Sequence, residues 1–146
     1  MKRHTFKISI NASRQEVWDI LWGDDTYPKW TRVFSEGSKA ESDWKEGSKI
    51  LFTDGKGSGM VSKIEKKKTP EYMSFKHLGE MKDGVENISE EMSWYGSLEN
   101  YSLNEANGKT TLEVEIDVVD EYKDYFMDKF PQALQQVKEL AEKVHA

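Results

Sequence analysis

The last stretch of the chain constrains the fold most. From about Glu121 to Val144, apolar side chains recur at three- and four-residue steps: Tyr122, Phe126, Phe130, Ala133, Leu134, Val137, Leu140, Ala141 and Val144. Lys123, Asp124, Lys129, Gln135, Lys138 and Glu142 fall between them. This spacing predicts a single long amphipathic helix with one apolar stripe. Pro131 lies inside it, where loss of a backbone donor is expected to kink or reset the helix near Phe130. A stripe of that length must be buried against something, and the rest of the chain offers mainly strands.

The strands are read from period-two alternation and turn chemistry. Phe6, Ile8 and Ile10 alternate with Thr5, Lys7 and Ser9, which predicts a half-buried first strand. "NASRQEVWDILW" follows, with Ser13 three residues before Glu16 in capping-box spacing and Val17, Ile20 and Leu21 on one face, the signature of a helix. "TYPKWTRVF" predicts a second short helix, with Pro28 near its first turn. From Ser35 onward "SEGSKAES", "SKILFTD", "SGMVSKIEKKK" and "EYMSFKHLG" are separated by Glu46-Gly47 and Thr69-Pro70 and read as successive antiparallel strands. "GEMKDGVEN" reads as a polar excursion. "SWYGSLENYSLNEA" and "KTTLEVEIDVV" are joined by Asn107-Gly108, a strong hairpin signal. The expected fold is α+β over a single domain, residues 1–146. A curved antiparallel sheet of about six to seven strands wraps around the C-terminal helix, with two short helices after strand 1.

Composition narrows the function classes. The net charge of -6 argues against nucleic acid, whose binding draws on clustered Lys and Arg; the one basic run, Lys66-Lys67-Lys68, is short. No apolar run approaches a membrane span, and no signal-peptide core opens the chain. The absence of cysteine excludes disulfides, thiol catalysis and thiolate metal sites and fits a reducing, cytoplasmic setting. Five Trp, six Tyr and six Phe supply the apolar surface that a chain with 33% charged residues needs in order to fold.

"TDGKGSGMVSKIE" places Gly55, Gly57 and Gly59 at alternate positions around Lys56 and Ser58. A P-loop needs Lys-Ser/Thr at the mouth of a helix, whereas Lys56 precedes Gly57 and strand-like Met60-Val61 follow. The segment reads as a hairpin tip, expected to be mobile and placed to gate a neighbouring pocket. His4, His77 and His145 sit on different elements with no metal-ligand spacing, so no cofactor or metal is expected. The weak candidates for acid–base work are Glu99 and His77. Glu99 shares strand parity with Tyr101 and Leu103, and a carboxylate facing inward is costly unless paired. His77 shares parity with Met73 and Phe75. Plain structural roles, a hydrogen-bonded strand histidine and a carboxylate partnering Tyr101, compete with the functional ones.

The element order, with "ASRQEVWDIL", "TYPKW", "GSKILFTD", "PEYMSFKHLG" and "ENYSLNEANGKTTLEVEI", resembles the START-like helix-grip superfamily, also called SRPBCC or birch-pollen-allergen-like. Within it the chain is similar to the branch of heat-shock-protein-90 ATPase activator homologues. The resemblance implies an apolar cavity between sheet and last helix. Its expected lining is Trp30 and Phe34 after the short helices; Phe52, Phe75, Trp94 and Tyr101 on strands; and Tyr122, Phe126, Phe130 and Leu134 on the last helix. Met60, Met73, Met92 and Met127 are candidate adaptable walls. An empty cavity of about 300 Å³, at roughly 24 cal/mol per Å³, costs about 7 kcal/mol, so a large one exists to be occupied. The expected function is binding of a small hydrophobic or aromatic molecule. The alternatives are an enzyme using the same pocket, the less favoured reading, and a chaperone-related or other protein-partner adaptor acting through the acidic row Glu113, Glu115 and Asp117.

Overall fold

The structure, a computed structural model, describes residues 1–143; Val144 and His145, assigned above to the helix stripe and the tail, lie outside the described residues. The first strand, β1 (Lys2–Ile10), leads into α1 (Arg14–Trp22) and α2 (Tyr27–Thr31). Seven strands follow: β2 (Lys39–Glu41), β3 (Lys49–Thr53), β4 (Gly59–Lys68), β5 (Tyr72–Lys82), β6 (Val85–Ile88), β7 (Leu98–Ala106) and β8 (Lys109–Val118). The last element is α3 (Asp120–Lys143). All strands belong to one antiparallel sheet in the order β1-β8-β7-β5-β4-β3-β2, with β6 paired to β5 beside that path.

Local chemistry explains the element boundaries. The Ser13 side chain accepts from the Glu16 N–H and the Glu16 carboxylate accepts from the Ser13 N–H, so α1 begins in a complete capping box. Asn107 and Gly108 take positive φ of 55° and 77°, and the two-residue turn sets Ala106 opposite Lys109. α3 continues through Pro131 without a break, at an exposed position where only one backbone donor is lost. The sheet has eight strands rather than six or seven. The additional one is β6, four exposed residues from the stretch read as a polar excursion. β5 runs on to Lys82, turns through Asp83-Gly84 and pairs with its own continuation.

Leu112, Val114, Ile116 and Val118 of β8 are buried, as are Phe6 and Ile10 of β1 and Met73 and Phe75 of β5. This concave face takes Val17, Trp18, Leu21 and Trp22 of α1, and Phe130, Ala133, Leu134, Val137 and Ala141 of α3. α3 therefore grips from Phe130 onward. Its first ten residues overhang: Tyr122, Tyr125 and Met127 are each more than 40% exposed, and Phe126 is partly buried. Two register shifts in the β4–β5 ladder, between Val61 and Ser62 and between Ile64 and Lys66, bend the sheet along β4.

The Gly-rich β3–β4 connection is tied down rather than free, contrary to the expectation of a mobile gate. Asp54 accepts from the N–H groups of Lys56 (2.7 Å) and Ser58 (3.2 Å), and Thr53 Oγ1 accepts from Gly55 N–H. The Gly57 carbonyl accepts from Gly84 N–H of the β5–β6 turn at 2.9 Å. Gly59 has a different requirement: a Cβ there would strike the Phe52 carbonyl oxygen and the Thr53 Cα. Gly59→Ala is expected to cost about 1–3 kcal/mol of unfolding free energy, read by urea denaturation.

On the convex face the acidic row of β8 is matched across the ladder by β1. Arg3 pairs with Asp117 (Nε–Oδ1 3.0 Å) and Lys7 with Glu113 (3.7 Å). Burial pushes the Asp117 carboxyl up, but the Arg3 side chain and the Leu98 N–H together outweigh it and hold it below its ordinary value. A carboxylate depressed in the folded state contributes stability that is complete above the unfolded value, about 4, and lost as pH falls through the folded value. Asp117→Asn should therefore make the acid limb of stability below pH 4 shallower while leaving its shape at pH 6–8 unchanged, measured by urea titrations across that range.

Candidate functional site

The concave face holds a polar chain inside an aromatic shell. Ser62 on β4 lies directly opposite His77 on β5, and its Oγ is 2.6 Å from His77 Nδ1. His77 Nε2 is 3.0 Å from Glu99 Oε1 on β7, and the Tyr101 hydroxyl donates to Glu99 Oε2. An ionised carboxylate only accepts, so Nε2 carries a proton toward Glu99, and in the neutral imidazole Nδ1 accepts from the Ser62 hydroxyl. Every proton in the chain then has an acceptor. Ser62 is fully buried, His77 is 7% and Tyr101 1% exposed, whereas 22% of the Glu99 side chain reaches solvent. The chain thus runs from a sealed serine to a carboxylate at the surface, and Glu99 retains lone pairs that neither His77 nor Tyr101 uses.

Rings enclose this chain. Phe52 meets Phe75 edge to face at 5.1 Å and lies 6.0 Å from the His77 ring. Tyr101 meets Trp22 at 4.9 Å and Trp30 at 6.3 Å, and Tyr27 lies against both Trp30 and Phe52. Burial, and then the Glu99 charge, push the phenols of Tyr27 and Tyr101 well above their ordinary value. A second group under α3 joins Phe34 to Phe130 at 5.1 Å and Phe130 to Phe6 at 5.2 Å, with Phe126 and Tyr125 at its edge. The Tyr125 hydroxyl donates to the Phe34 carbonyl at 3.0 Å, tying the overhanging part of α3 to the end of α2.

Of the sequence-derived lining, Trp30, Phe52, Phe75 and Tyr101 form the first group and Phe34, Phe126 and Phe130 the second, with Leu134 buried further along α3. Tyr122 stands in solvent on the overhang, and Trp94 is half-buried in the turn before β7. Glu99 and His77, proposed separately, are one hydrogen-bonded pair. Sequence reasoning missed Ser62, Tyr27 and Trp22 as members. Ser62 reaches His77 because the ladder slips between Val61 and Ser62, and that slip leaves no mark in the alternation. No group of three or more potential metal ligands converges among the described residues, and no described helix is long and apolar enough to cross a membrane.

Comparison with known proteins agrees with this architecture. The family described as activator of Hsp90 ATPase homolog 1-like protein matches residues 11–142. The chain belongs to that family. No curated protein matches the sequence. Among solved structures, the Aha1 dimer from Colwellia psychrerythraea is 21% identical, with a TM-score of 0.74 and 97% of each chain covered. Protein MLL2253 from Mesorhizobium loti is 11% identical, with a TM-score of 0.76 over 97% of this chain and 98% of that one. CalU16 from Micromonospora echinospora is 14% identical, with a TM-score of 0.69 over 94% and 73%. These likenesses establish the shared fold of this activator-homologue chain.

In this activator-homologue domain the buried phenols provide a direct check. Spectrophotometric titration should show Tyr27 and Tyr101 ionising at clearly higher pH than a free phenol, as the protein unfolds in alkali. Six phenols titrating together near 10 in the folded protein would contradict the burial described.

Proposed function

We propose that this protein binds a small apolar or aromatic molecule carrying a hydroxyl or amine donor. The site lies between the concave sheet face, α2 and the first half of α3. Glu99 is its polar anchor, and Trp30, Phe34, Phe52 and Tyr101 are its apolar walls. The observation that carries the reading is the position of Glu99: a carboxylate among aromatic rings, held by His77 and Tyr101, with unused acceptor capacity and part of its surface in solvent. Burying ionisable groups among rings costs free energy that an apolar replacement of similar volume avoids, so stability alone is a poor reason for the chain. A ligand donor reaching Glu99 would use its free lone pairs, and the surrounding rings would cover the apolar body. The family assignment, commonly a ligand-binding domain, supports the same reading. Lack of cysteine is consistent with a cytoplasmic setting.

One observation favours a second reading, an enzyme working on the same ligand. The His77–Glu99 hydrogen bond is the arrangement in which an imidazole shuttles a proton while a carboxylate orients it. The protein-partner reading rests on less, because Arg3 and Lys7 already neutralise part of the acidic row that would carry it.

Titration with hydroxylated flavonoids, sterols and fatty acids, followed by intrinsic fluorescence and melting temperature, is the test. A matching ligand should raise the melting temperature, since saturation at 100 times Kd stabilises by about 2.7 kcal/mol. Glu99→Gln should weaken a hydroxyl-bearing ligand roughly tenfold and its methyl ether little, in line with about 1.4 kcal/mol for a hydrogen bond to a charged group. Absence of any saturable response across the three classes would remove the proposal. Turnover of a bound ligand, lost in Glu99→Gln while binding persists, would select the enzymatic reading.

A further inference from the structure

The hydroxyl of Tyr27 is the polar group of the aromatic shell that the hydrogen-bonded chain does not use. Tyr27 opens α2, stacked on Phe52 of β3 at 6.2 Å and edge to face on Trp30 at 5.4 Å. The same two rings flank the chain: Phe52 lies 6.0 Å from the His77 ring, and Trp30 lies 6.3 Å from Tyr101. Tyr27 is therefore bracketed by the rings that border Glu99 and its partners.

Only 7% of Tyr27 is exposed, yet its hydroxyl has no hydrogen-bond partner among the described residues. The bonds Tyr27 makes come from its backbone, whose N–H donates to the Gly23 carbonyl and whose carbonyl accepts from Thr31 Oγ1. Among the described residues the one side-chain atom both sealed and unpartnered is Trp22 Nε1, so the Tyr27 hydroxyl, unpartnered as well, opens onto accessible space. A buried hydroxyl without a partner calls for an explanation, and packing does not supply one, because phenylalanine would build the same wall without the desolvated group. After burial, the Glu99 charge is the second cause that raises the Tyr27 phenol, and Tyr27 contributes in turn to the rise of Tyr101. The hydroxyl thus stands within the field of the carboxylate without being bonded to it.

The two groups ask for complementary chemistry. Glu99 already takes protons from His77 and Tyr101 and can only accept, whereas the Tyr27 phenol carries a proton that no described group accepts. A single hydroxyl oxygen meets both demands, since it has one proton to donate and two lone pairs with which to accept. An ether oxygen would accept from Tyr27 and leave Glu99 unmet. An aromatic amine would donate to Glu99 but leave the Tyr27 proton unmet, its lone pair being delocalised into the ring. A carboxylate would be repelled by Glu99. We infer that Tyr27 is the second polar anchor of the ligand site and that Tyr27 and Glu99 together select a hydroxyl on a flat aromatic body, Tyr27 donating to the oxygen that donates to Glu99. This assignment rests on the proposed ligand site at Glu99 and narrows the donor it takes from hydroxyl or amine to hydroxyl.

The experiment titrates the full chain, Tyr27→Phe and Glu99→Gln with 2-naphthol, 2-methoxynaphthalene and 2-naphthylamine, followed by quenching of tryptophan fluorescence. Tyr27→Phe should leave the melting temperature of the free protein unchanged or raise it, because no hydrogen bond is lost. 2-Naphthol should bind the native chain saturably, and each variant should weaken it roughly tenfold. The methoxy compound should be weakened by Tyr27→Phe alone and the amine by Glu99→Gln alone. Naphthol binding that falls in Glu99→Gln but not in Tyr27→Phe would overturn this inference and leave the Glu99 site standing. Equal weakening of all three probes by Tyr27→Phe would show a damaged wall rather than a lost hydrogen bond, and a clear drop in its melting temperature would show a hydroxyl already partnered; either would overturn the inference. No saturable binding of any probe, or binding indifferent to Glu99→Gln, would overturn both readings.

Discussion

The contact on which the remaining structure depends is the seating of Trp22 against the sheet. Its indole stands edge to face on Phe75 of β5 at 5.2 Å and on Tyr101 of β7 at 4.9 Å, and also touches Trp30 of α2. Edge-to-face packing places the positive rim of one ring on the negative face of another, so it specifies angle as well as distance. One residue thus fixes α1 against the two central strands and fixes α2 against α1. Trp30 completes the join by donating its indole N–H to the Leu21 carbonyl at 3.0 Å. With the short helices in place, α3 has one remaining strip of concave surface, beside β1, and it closes there through the Phe6–Phe130 stack.

That arrangement leaves the polar chain from Ser62 to Glu99 in a setting dominated by rings. In a low-dielectric surrounding each unpaired member would be expensive, which is why the chain is complete: hydroxyl to imidazole, imidazole to carboxylate, phenol to carboxylate. Completeness makes it tolerable without making it the cheapest filling. The contrast with the Trp22 N–H, a few ångströms of ring packing away and unpartnered, separates two kinds of polar group in one core. One has been satisfied internally and keeps acceptor capacity at its outer end. The other is sealed among rings without a partner.

Much of the fold was legible in particular residues. Leu112, Val114, Ile116 and Val118 alternate with acids because one face of β8 is core and the other meets β1 cations; Ser13 and Glu16 mark the helix start because they satisfy its free N–H groups; Asn107-Gly108 turns the last hairpin because both take positive φ. β6 was not legible, since Val85–Ile88 buries neither face and carries no alternation for burial to impose. The extent of α3's grip was also hidden. Tyr122 and Phe130 sit on the same stripe, yet only Phe130 lies over the sheet, and a periodic pattern records which side of a helix is apolar without recording where its partner surface ends.

The sequence by itself determined the class of fold, the single long helix, the turn positions and the inward parity of His77 and Glu99, because these follow from periods of 2 and 3.6 residues and from local backbone preferences. Tertiary structure decided which inward side chains meet. Ser62 reaches His77 through a ladder slip, His77 reaches Glu99 across two paired strands, and Trp44 joins Trp18 and Trp22 although separated from them by more than 20 residues of chain. Those meetings depend on strand register, sheet curvature and the docking angle of α1, which are set by packing among distant residues and have no local signature.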